Sequence, residues 1–270
     1  MRRLVKSLLD HLPPALALPV ATTLRRLGAS RAVRARLARA DAIAARLGGD
    51  TVRAGPFAGM RYRQRAVAQG GFLPKLLGSY ERELHPTWRS LAGGQWRTVI
   101  DVGAAEGYYA VGLARLLPGC TVHAFEMERP LHAAIGAMAR ENGAADRVHV
   151  HGRCTSAMLG SMLTDRATAA ATLLVMDCEG AEDVLLDLVA APGLAHATIV
   201  VEVHDALVPG VGVRLRERFA MTHDVIAVPT ESRGVADLPP GVTLGEEDRA
   251  LALDEGRGGP MEWLVCRPRT

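Results

Sequence analysis

The segment from residue 98 to residue 129 constrains the fold of this chain more than any other stretch. It reads TVIDVGAAEGYYAVGLARLLPGCTVHAFEMER, in which a short β-branched run leads into a glycine turn that begins at Gly103. Such a run is typical of a strand that is buried on both faces. A helical pattern over 108–117 and a second apolar run follow, and the second run ends on Glu126. This order predicts two strands and a connecting helix in a parallel sheet.

The same segment is suited to an adenosyl cofactor. Glycine at positions 103 and 107 lets a ligand approach the backbone closely, and the N-terminus of the next helix favours a carboxylate. Glu126 follows the last glycine by about 20 residues, the spacing at which an acid reaches both ribose hydroxyls. Asp101 comes just before the turn and can accept hydrogen bonds from a cationic amino group. These residues favour S-adenosylmethionine.

A dinucleotide is the alternative cofactor for such a turn. The turn reads Gly103-Ala104-Ala105-Glu106-Gly107-Tyr108. The dinucleotide pattern would place glycine at position 105 and glycine or alanine at position 108, and a carboxylate at position 101 would repel a pyrophosphate. The glycine turn by itself leaves both cofactors open, and the acids shift the balance toward S-adenosylmethionine.

Strands and helices alternate regularly after residue 96. The predicted strands are 98–102, 121–125, 147–151, 172–176, 197–203, 222–228 and 261–266, and the predicted helices are 108–117, 130–142, 155–163, 181–190 and 211–219. Alternation of this kind predicts an α/β fold with a doubly wound, mostly parallel seven-stranded sheet of the Rossmann-like type. Residues 231–260 show no clear pattern and are predicted to form a polar loop.

The chain of 270 residues is long enough for one such domain and an appendage. We place a basic helical extension at 1–50, a lead-in segment at 51–95 and the cofactor-binding domain at 96–270. The apolar stretch 12–24 is too short to span a bilayer and contains three prolines. Residues 31–47 form an amphipathic pattern with arginines on the polar side. We expect this helix to pack on the catalytic domain or on a second subunit. Contact with an anionic membrane stays open, and nucleic acid is disfavoured.

The four cysteines are dispersed, and no pair has the spacing of metal ligands. They are Cys120, Cys154, Cys178 and Cys266. Free cysteines inside predicted strands behave as small hydrophobic residues. This usage fits a reducing cytoplasm, so we expect a cytoplasmic protein.

Acids and a histidine follow the fourth and fifth predicted strands. Asp177 closes the fourth strand, and Glu179 and Glu182 follow it where a cap of the next helix would use acids. The fifth strand ends in the group 202–205, which contains His204. Asp177 and His204 are the candidate catalytic bases. The same acids could ligate a divalent ion, but the pattern is loose and we predict no metal site.

Three motifs together resemble the FkbM-type S-adenosylmethionine-dependent methyltransferases. They are DVGAAEGYY at 101–109, DCEGAE at 177–182 and EVH at 202–204, and the resemblance covers about residues 52–268, with the lead-in LLGSYERELHP at 76–86. The resemblance implies a class I methyltransferase fold whose last strand is antiparallel. It also implies O-methylation of a hydroxyl on a sugar, glycan or natural product.

The resemblance assigns roles by position. Asp101, Gly103 and Gly107 would shape the methionine end of the cofactor site, Glu126 would bind the ribose, and Cys154 would lie near the adenine. Many relatives have Asn where this chain has Ala105. Tyr80 and Glu81 would close over the cofactor or serve packing. The full set of expected cofactor-binding residues is Asp101, Gly103, Ala104, Ala105, Glu106, Gly107, Glu126, Met127, Cys154 and Asp177.

Other functions stay open at this point. A nicotinamide-dependent oxidoreductase would share the architecture, and a non-catalytic Rossmann-like scaffold would keep it. An RNA methyltransferase is compatible with the sequence pI of about 8.8, but the basic residues lack interleaved aromatic residues. The acceptor is expected to be a small molecule or a glycan. Its pocket would be built by the N-terminal helices, residues 55–86 and the 231–260 loop.

Overall fold

The computed structural model describes residues 31–63, 71–259 and 261–269. Its strands form one seven-stranded sheet in the order β3-β2-β1-β4-β5-β7-β6. β7 runs antiparallel to both of its neighbours, and the remaining pairs are parallel. The strands are β1 (Thr98–Val102), β2 (Thr121–Phe125), β3 (Val148–His151), β4 (Thr172–Met176), β5 (Thr198–Val203), β6 (His223–Pro229) and β7 (Glu262–Pro268). The predicted fold class, an α/β fold with a doubly wound, mostly parallel seven-stranded sheet of the Rossmann-like type, is confirmed.

Helices cover both faces of this sheet. They are α1 (Arg31–Arg46), α2 (Phe72–Leu77), α3 (His85–Leu91), α4 (Tyr108–Leu116), α5 (Arg129–Glu141), α6 (Ser156–Met162), α7 (Arg166–Ala170), α8 (Glu182–Leu185), α9 (Val211–Phe219) and α10 (Glu246–Ala252). Short 3₁₀ turns occupy Arg82–Leu84, Pro192–His196 and Val235–Asp237. The predicted bounds of β1, β2, β4 and α9 are confirmed to the residue.

Two local predictions were wrong. The predicted helix at 181–190 ends at Leu185, because the Asp187 carboxylate accepts a hydrogen bond from the Val189 amide, at 2.8 Å, and so offers the backbone a turn instead of a helix. The 231–260 segment is not patternless, since it contains α10. Three acids in the first turn of α10, at 246–248, are a helix-start signal that the sequence analysis missed.

The core consists of two layers that follow the alternation of side chains along the strands. In β1, Val99 packs in one layer with Leu113 of α4 and Ile135 of α5. Its neighbour Ile100 packs in the opposite layer, which α6, α8 and α9 cover. Burial on both faces explains why β1 and β4 read as continuous apolar runs.

Three arginines of α1, Arg36, Arg39 and Arg46, are paired within the chain. Arg39 donates to Asp248 of α10 at 2.6 Å, Arg46 pairs with the same carboxylate, and Arg36 pairs with Asp254. Ile43 on the other side of the helix is buried in the core. The arginine pattern that left membrane contact open therefore meets a complementary acidic helix. No helix in the described ranges is long and apolar enough to cross a membrane, and the apolar stretch 12–24 lies outside those ranges.

Candidate active site

The turn after β1 is built around glycines that no other residue could replace without movement. Gly103 has a φ of 87°, and a β-carbon there would lie 1.6 Å from the carbonyl oxygen of Asp177. Gly107 has a φ of 98° and is the N-cap residue of α4. Ala105 also lies in the left-handed region, with a φ of 46°, which costs a residue with a β-carbon roughly 1–2 kcal/mol. Asn tolerates this conformation better than most residues. This is a physical reason why many members of the family that the chain resembles have Asn where this chain has Ala105.

Glu126 is fixed against this turn. Its carboxylate accepts hydrogen bonds from the amides of Ala105, at 2.8 Å, and Glu128, at 2.7 Å. Each carboxylate oxygen keeps a second lone pair that can accept from a ribose hydroxyl. Burial raises the pKa of Glu126, and the two amide hydrogen bonds oppose that rise. The strand end therefore presents a preoriented acceptor beside the glycine turn.

Asp101 lies under the same turn and is almost completely buried. Its Oδ2 atom has no hydrogen-bond partner among the residues that the structure describes. Burial, followed by the nearby carboxylates of Asp177 and Glu126, raises the pKa of Asp101 to about 8. A buried acceptor without a donor fits a cationic amino group. Asp101, the glycine cradle and Glu126 together fit the amino-acid and ribose ends of S-adenosylmethionine.

Glu106 has structural contacts that the sequence analysis did not predict. Its carboxylate accepts from Lys75 Nζ at 2.6 Å and from the Tyr62 hydroxyl at 2.8 Å, and the side chain is buried. These contacts hold the lead-in segment against the turn. The Oε1 atom of Glu106 is therefore held by the lead-in segment, and a cofactor contact at this position stays a prediction.

The expected adenine side of the site lies at the ends of β2 and β3. The Glu126 amide donates to the carbonyl of His151, at 3.1 Å, which joins the two strand ends. Ala104 and Cys154 are buried, whereas Met127 is 67% exposed and free to contact a ligand from the surface. Burial raises the pKa of the Cys154 thiol to about 11, so this thiol stays neutral and apolar near neutral pH.

The ends of β4 and β5 bring together a cluster of titratable side chains. His204 Nδ1 donates to Glu182 Oε1 at 2.6 Å, and Glu182 is fully buried. His204 Nε2 faces carboxylate oxygens of Glu202 at 3.5 Å, Asp177 at 3.6 Å and Glu179 at 3.7 Å. We call these five residues the acid–histidine cluster. Burial by itself would lower the pKa of His204, but the hydrogen bond and charge of Glu182 raise it overall.

The structure corrects the capping interpretation of the acids after β4. Glu179 is 79% exposed at its side chain and points to His204, and α8 has no side-chain cap. Glu182 accepts from the Gly180 amide at 3.0 Å as well as from His204. Its main structural task is therefore to orient the histidine.

Arg257 is the residue of this site that the sequence analysis missed. It lies in the 231–260 segment and contacts three carboxylates, those of Glu202 at 2.7 Å, Glu81 at 2.8 Å and Glu255 at 2.9 Å. Burial raises the pKa of Glu202 to about 10, followed by the effect of Asp177, and Arg257 opposes both. No local pattern marks Arg257, since two of its three partners, Glu202 and Glu81, come from distant parts of the chain.

The lead-in segment reaches the same corner through Glu81. This residue has a φ of 46°, its amide donates to Glu255 at 2.9 Å, and its carboxylate accepts from the Tyr109 hydroxyl. Burial raises the pKa of Glu81 to about 7, and Arg257 opposes the rise. Tyr80 packs edge-on against Tyr108, with ring centroids 5.6 Å apart. The lead-in and the 231–260 segment thus meet beside the strand ends.

Comparison with known proteins gives similarity to solved structures alone. No protein-family profile matches the chain, and no curated protein matches it. The C-terminal domain of precorrin-6Y C5,15-methyltransferase from Rhodobacter capsulatus is similar, with 14% identity and a TM-score of 0.47, over 76% of this chain and 96% of that one.

Two further solved structures are similar to this chain. The O-methyltransferase TomG from Streptomyces achromogenes, in complex with SAM, has 19% identity, a TM-score of 0.43 and coverage of 86% and 89% of the two chains. A SAM-dependent methyltransferase from Geobacter sulfurreducens, in complex with S-adenosyl-L-homocysteine, has 19% identity, a TM-score of 0.42 and coverage of 70% and 91%. With TM-scores this low, the fold assignment rests on the strand order of this chain.

Proposed function

We propose that this chain is an S-adenosylmethionine-dependent methyltransferase of the FkbM type. The observation that carries the proposal is the pair of acids around one glycine cradle, Asp101 with an unpartnered buried oxygen and Glu126 with free lone pairs. Both lie at the carboxyl edge of the parallel strands, where ligands of such sheets bind. The two motifs that contain Asp177, Glu182 and His204 fold into one cluster at the same edge, as a shared site requires.

In this proposal two acids of the chain, Asp101 and Glu126, position the cofactor. Asp101 would accept from the amino group of the methionine moiety, and Glu126 would accept from the ribose hydroxyls. Met127 and Cys154 would flank the adenine. The bound cofactor supplies an electrophilic methyl group, so the protein has mainly to align a nucleophile and to manage one proton.

The acceptor would be a hydroxyl of a sugar, a glycan or a natural product. His204 and Asp177 face one another at the strand ends, with Nε2 and Oδ1 3.6 Å apart. Glu182 fixes the histidine ring through Nδ1, which is the arrangement of a base and the group that orients it. Either His204 or Asp177 could take the hydroxyl proton.

The first experiment is isothermal titration of the purified protein with S-adenosylhomocysteine, with NAD as the comparison ligand. Micromolar binding of S-adenosylhomocysteine alone supports the proposal and justifies a screen of hydroxylated acceptors. Binding of NAD alone would overturn the cofactor assignment in favour of an oxidoreductase. Binding of neither ligand would favour the scaffold alternative.

Once an acceptor is known, Asp177→Asn tests the catalytic part. We expect turnover to fall by about two orders of magnitude, the contribution typical of a general base, while S-adenosylhomocysteine affinity stays within a few fold. Glu217→Gln, which removes an exposed acid of α9, serves as the matched control. Unchanged turnover in Asp177→Asn would remove Asp177 from the mechanism and leave His204 as the base.

A further inference from the structure

The acid–histidine cluster contains more carboxyl groups than nearby cationic side chains. Four carboxylates, those of Asp177, Glu179, Glu182 and Glu202, surround the single imidazole of His204. Arg257 is shared by Glu202, Glu81 and Glu255, and the last of these also pairs with Arg233, at 2.6 Å. A further positive charge would relieve the repulsion among these groups.

The ring of His204 already has the orientation that a metal-binding histidine requires. His204 is 6% exposed, and its Nδ1 is fixed by the fully buried carboxylate of Glu182. The carboxylates opposite Nε2 lie 3.5–3.7 Å away, beyond the usual 2.7–3.2 Å of an N–H···O hydrogen bond. A histidine that ligates a metal ordinarily donates its other ring N–H to such a carboxylate, which fixes the tautomer.

The remaining donors lie within reach of one ion. One ligand atom each from Asp177, Glu179 and His204 lie within 4.8 Å of one another. The Oδ1 atom of Asp177 is buried and has no hydrogen-bond partner in the described part of the chain. Glu179 is largely exposed, so its side chain can rotate to shorten the span.

We propose that Asp177, Glu179 and His204 bind a divalent cation, with Glu182 as the residue that positions the histidine. Two carboxylates and one imidazole suit Mn²⁺ better than Ca²⁺, which takes oxygen ligands alone. The cation site goes against the sequence-based prediction of no metal. The observation that supports the cation is the cluster itself. One consequence rests on the proposed function: the cation would bind the acceptor hydroxyl and lower its pKa, and the hydroxyl proton would pass to solvent water as the oxygen takes the methyl group. His204 would then act as a ligand and not as the base.

The test is a titration of the full chain with Mn²⁺ after dialysis against a chelator, followed by electron paramagnetic resonance. We expect one Mn²⁺ per chain, with nitrogen coupling from the imidazole in the pulsed spectrum. Asp177→Asn and His204→Gln should each weaken binding about tenfold or more, and His204→Gln should also remove the nitrogen coupling. Glu217→Gln should bind as the unaltered chain does.

Glu182→Gln tests whether Glu182 orients His204 for the cation or only stabilises the fold. It should weaken Mn²⁺ binding about tenfold, the lower end of the effect of removing such a supporting group, and reduce the nitrogen coupling while S-adenosylhomocysteine affinity stays unchanged. Absence of saturable Mn²⁺ binding, or binding that Asp177→Asn and His204→Gln leave intact, would overturn the cation site. S-adenosylhomocysteine binding in the same preparation reports on the proposed function separately.

Discussion

Gly103 and Asp177 lie so close that a β-carbon on the glycine would stand 1.6 Å from the aspartate carbonyl oxygen. The two residues follow β1 and β4, which are adjacent parallel strands in the sheet. The Asp177 amide also donates to the Val102 carbonyl, at 2.9 Å. The cofactor turn and the acid–histidine cluster are therefore parts of one backbone junction, and a change in either turn must move the other.

Replacement of Gly103 by alanine should destabilise the protein severely. The φ of 87° is unfavourable for a residue with a β-carbon, and the overlap with Asp177 forces the two turns apart. The two costs together amount to about 3 kcal/mol or more.

Urea unfolding followed by circular dichroism measures the change in the free energy of unfolding, and Gly119→Ala is the matched control. Gly119 has no neighbour within 4 Å of an added β-carbon, so the control should change the free energy of unfolding by less than about 1 kcal/mol. Equal stability of the two variants would contradict the junction.

Glu126→Ala should weaken S-adenosylhomocysteine binding by more than tenfold. The variant removes the carboxylate that would bind the ribose, and it frees the Ala105 amide that this carboxylate holds. A lost charge-assisted hydrogen bond of about 1.5–3 kcal/mol corresponds to that factor. Isothermal titration measures it, with Asp146→Ala, at an exposed acid, as the control. Unchanged affinity in Glu126→Ala would refute the ribose assignment.

The sheet was predictable because its signals are local. Each of β1, β2 and β4 is a short apolar run with a clear break at its end, and the strand bounds follow from those breaks. The glycine turn was predictable for the same reason, since Gly103 and Gly107 meet their steric requirement within one turn. Sequence periodicity also indicated that α1 packs through its apolar side, which contains Ile43.

The contacts that complete the site were not predictable, because they join distant residues. Arg257 and Glu81 are separated by 176 positions in the sequence, and Glu182 and His204 by 22. Side-chain type and spacing carry no information on which acid an arginine will meet once the loops pack. The contact of Lys75 with the Glu106 carboxylate, across 31 positions of sequence, was missed for this reason.

Removing one partner of the buried pair of Lys75 and Glu106 should destabilise the protein strongly. Lys75 also lies over the Tyr80 ring, with Nζ 4.8 Å from the centroid. Lys75→Met would leave the Glu106 carboxylate buried without its cation, which costs about 3–5 kcal/mol. Addition of Glu106→Gln in the double variant should recover part of that loss, because the uncompensated charge is then gone. Thermal unfolding of the single and double variants measures both effects.

An exposed ion pair provides the comparison for Lys75→Met. Arg269 and Asp224 are 2.8 Å apart and both largely exposed. Solvent screens such pairs, so Arg269→Met should cost less than about 1 kcal/mol. If Lys75→Met costs no more than Arg269→Met, the buried pair does not anchor the lead-in segment.

Asp101 links the cofactor site to pH. Its carboxyl has a pKa of about 8 in the folded chain and about 3.9 when unfolded. Between these values the folded state holds a proton that the unfolded state has lost. The free energy of unfolding contributed by this group therefore falls as pH rises from about 4 to about 8, and the full cost is present above pH 8.

Asp101→Asn should remove this dependence in the cofactor-free protein. Asparagine keeps the size of the side chain and does not ionise. The free energy of unfolding of Asp101→Asn, relative to that of the unaltered chain, should therefore increase by at least about 1 kcal/mol from pH 5 to pH 9. The difference between the two urea unfolding curves cancels the titration of Glu81 and Glu202, which burial also shifts. A difference that stays constant with pH would mean that Asp101 is ionised in the folded state throughout. Addition of S-adenosylhomocysteine should reduce the change with pH in the stability difference between the two proteins, because the amino group of the ligand then balances the Asp101 charge.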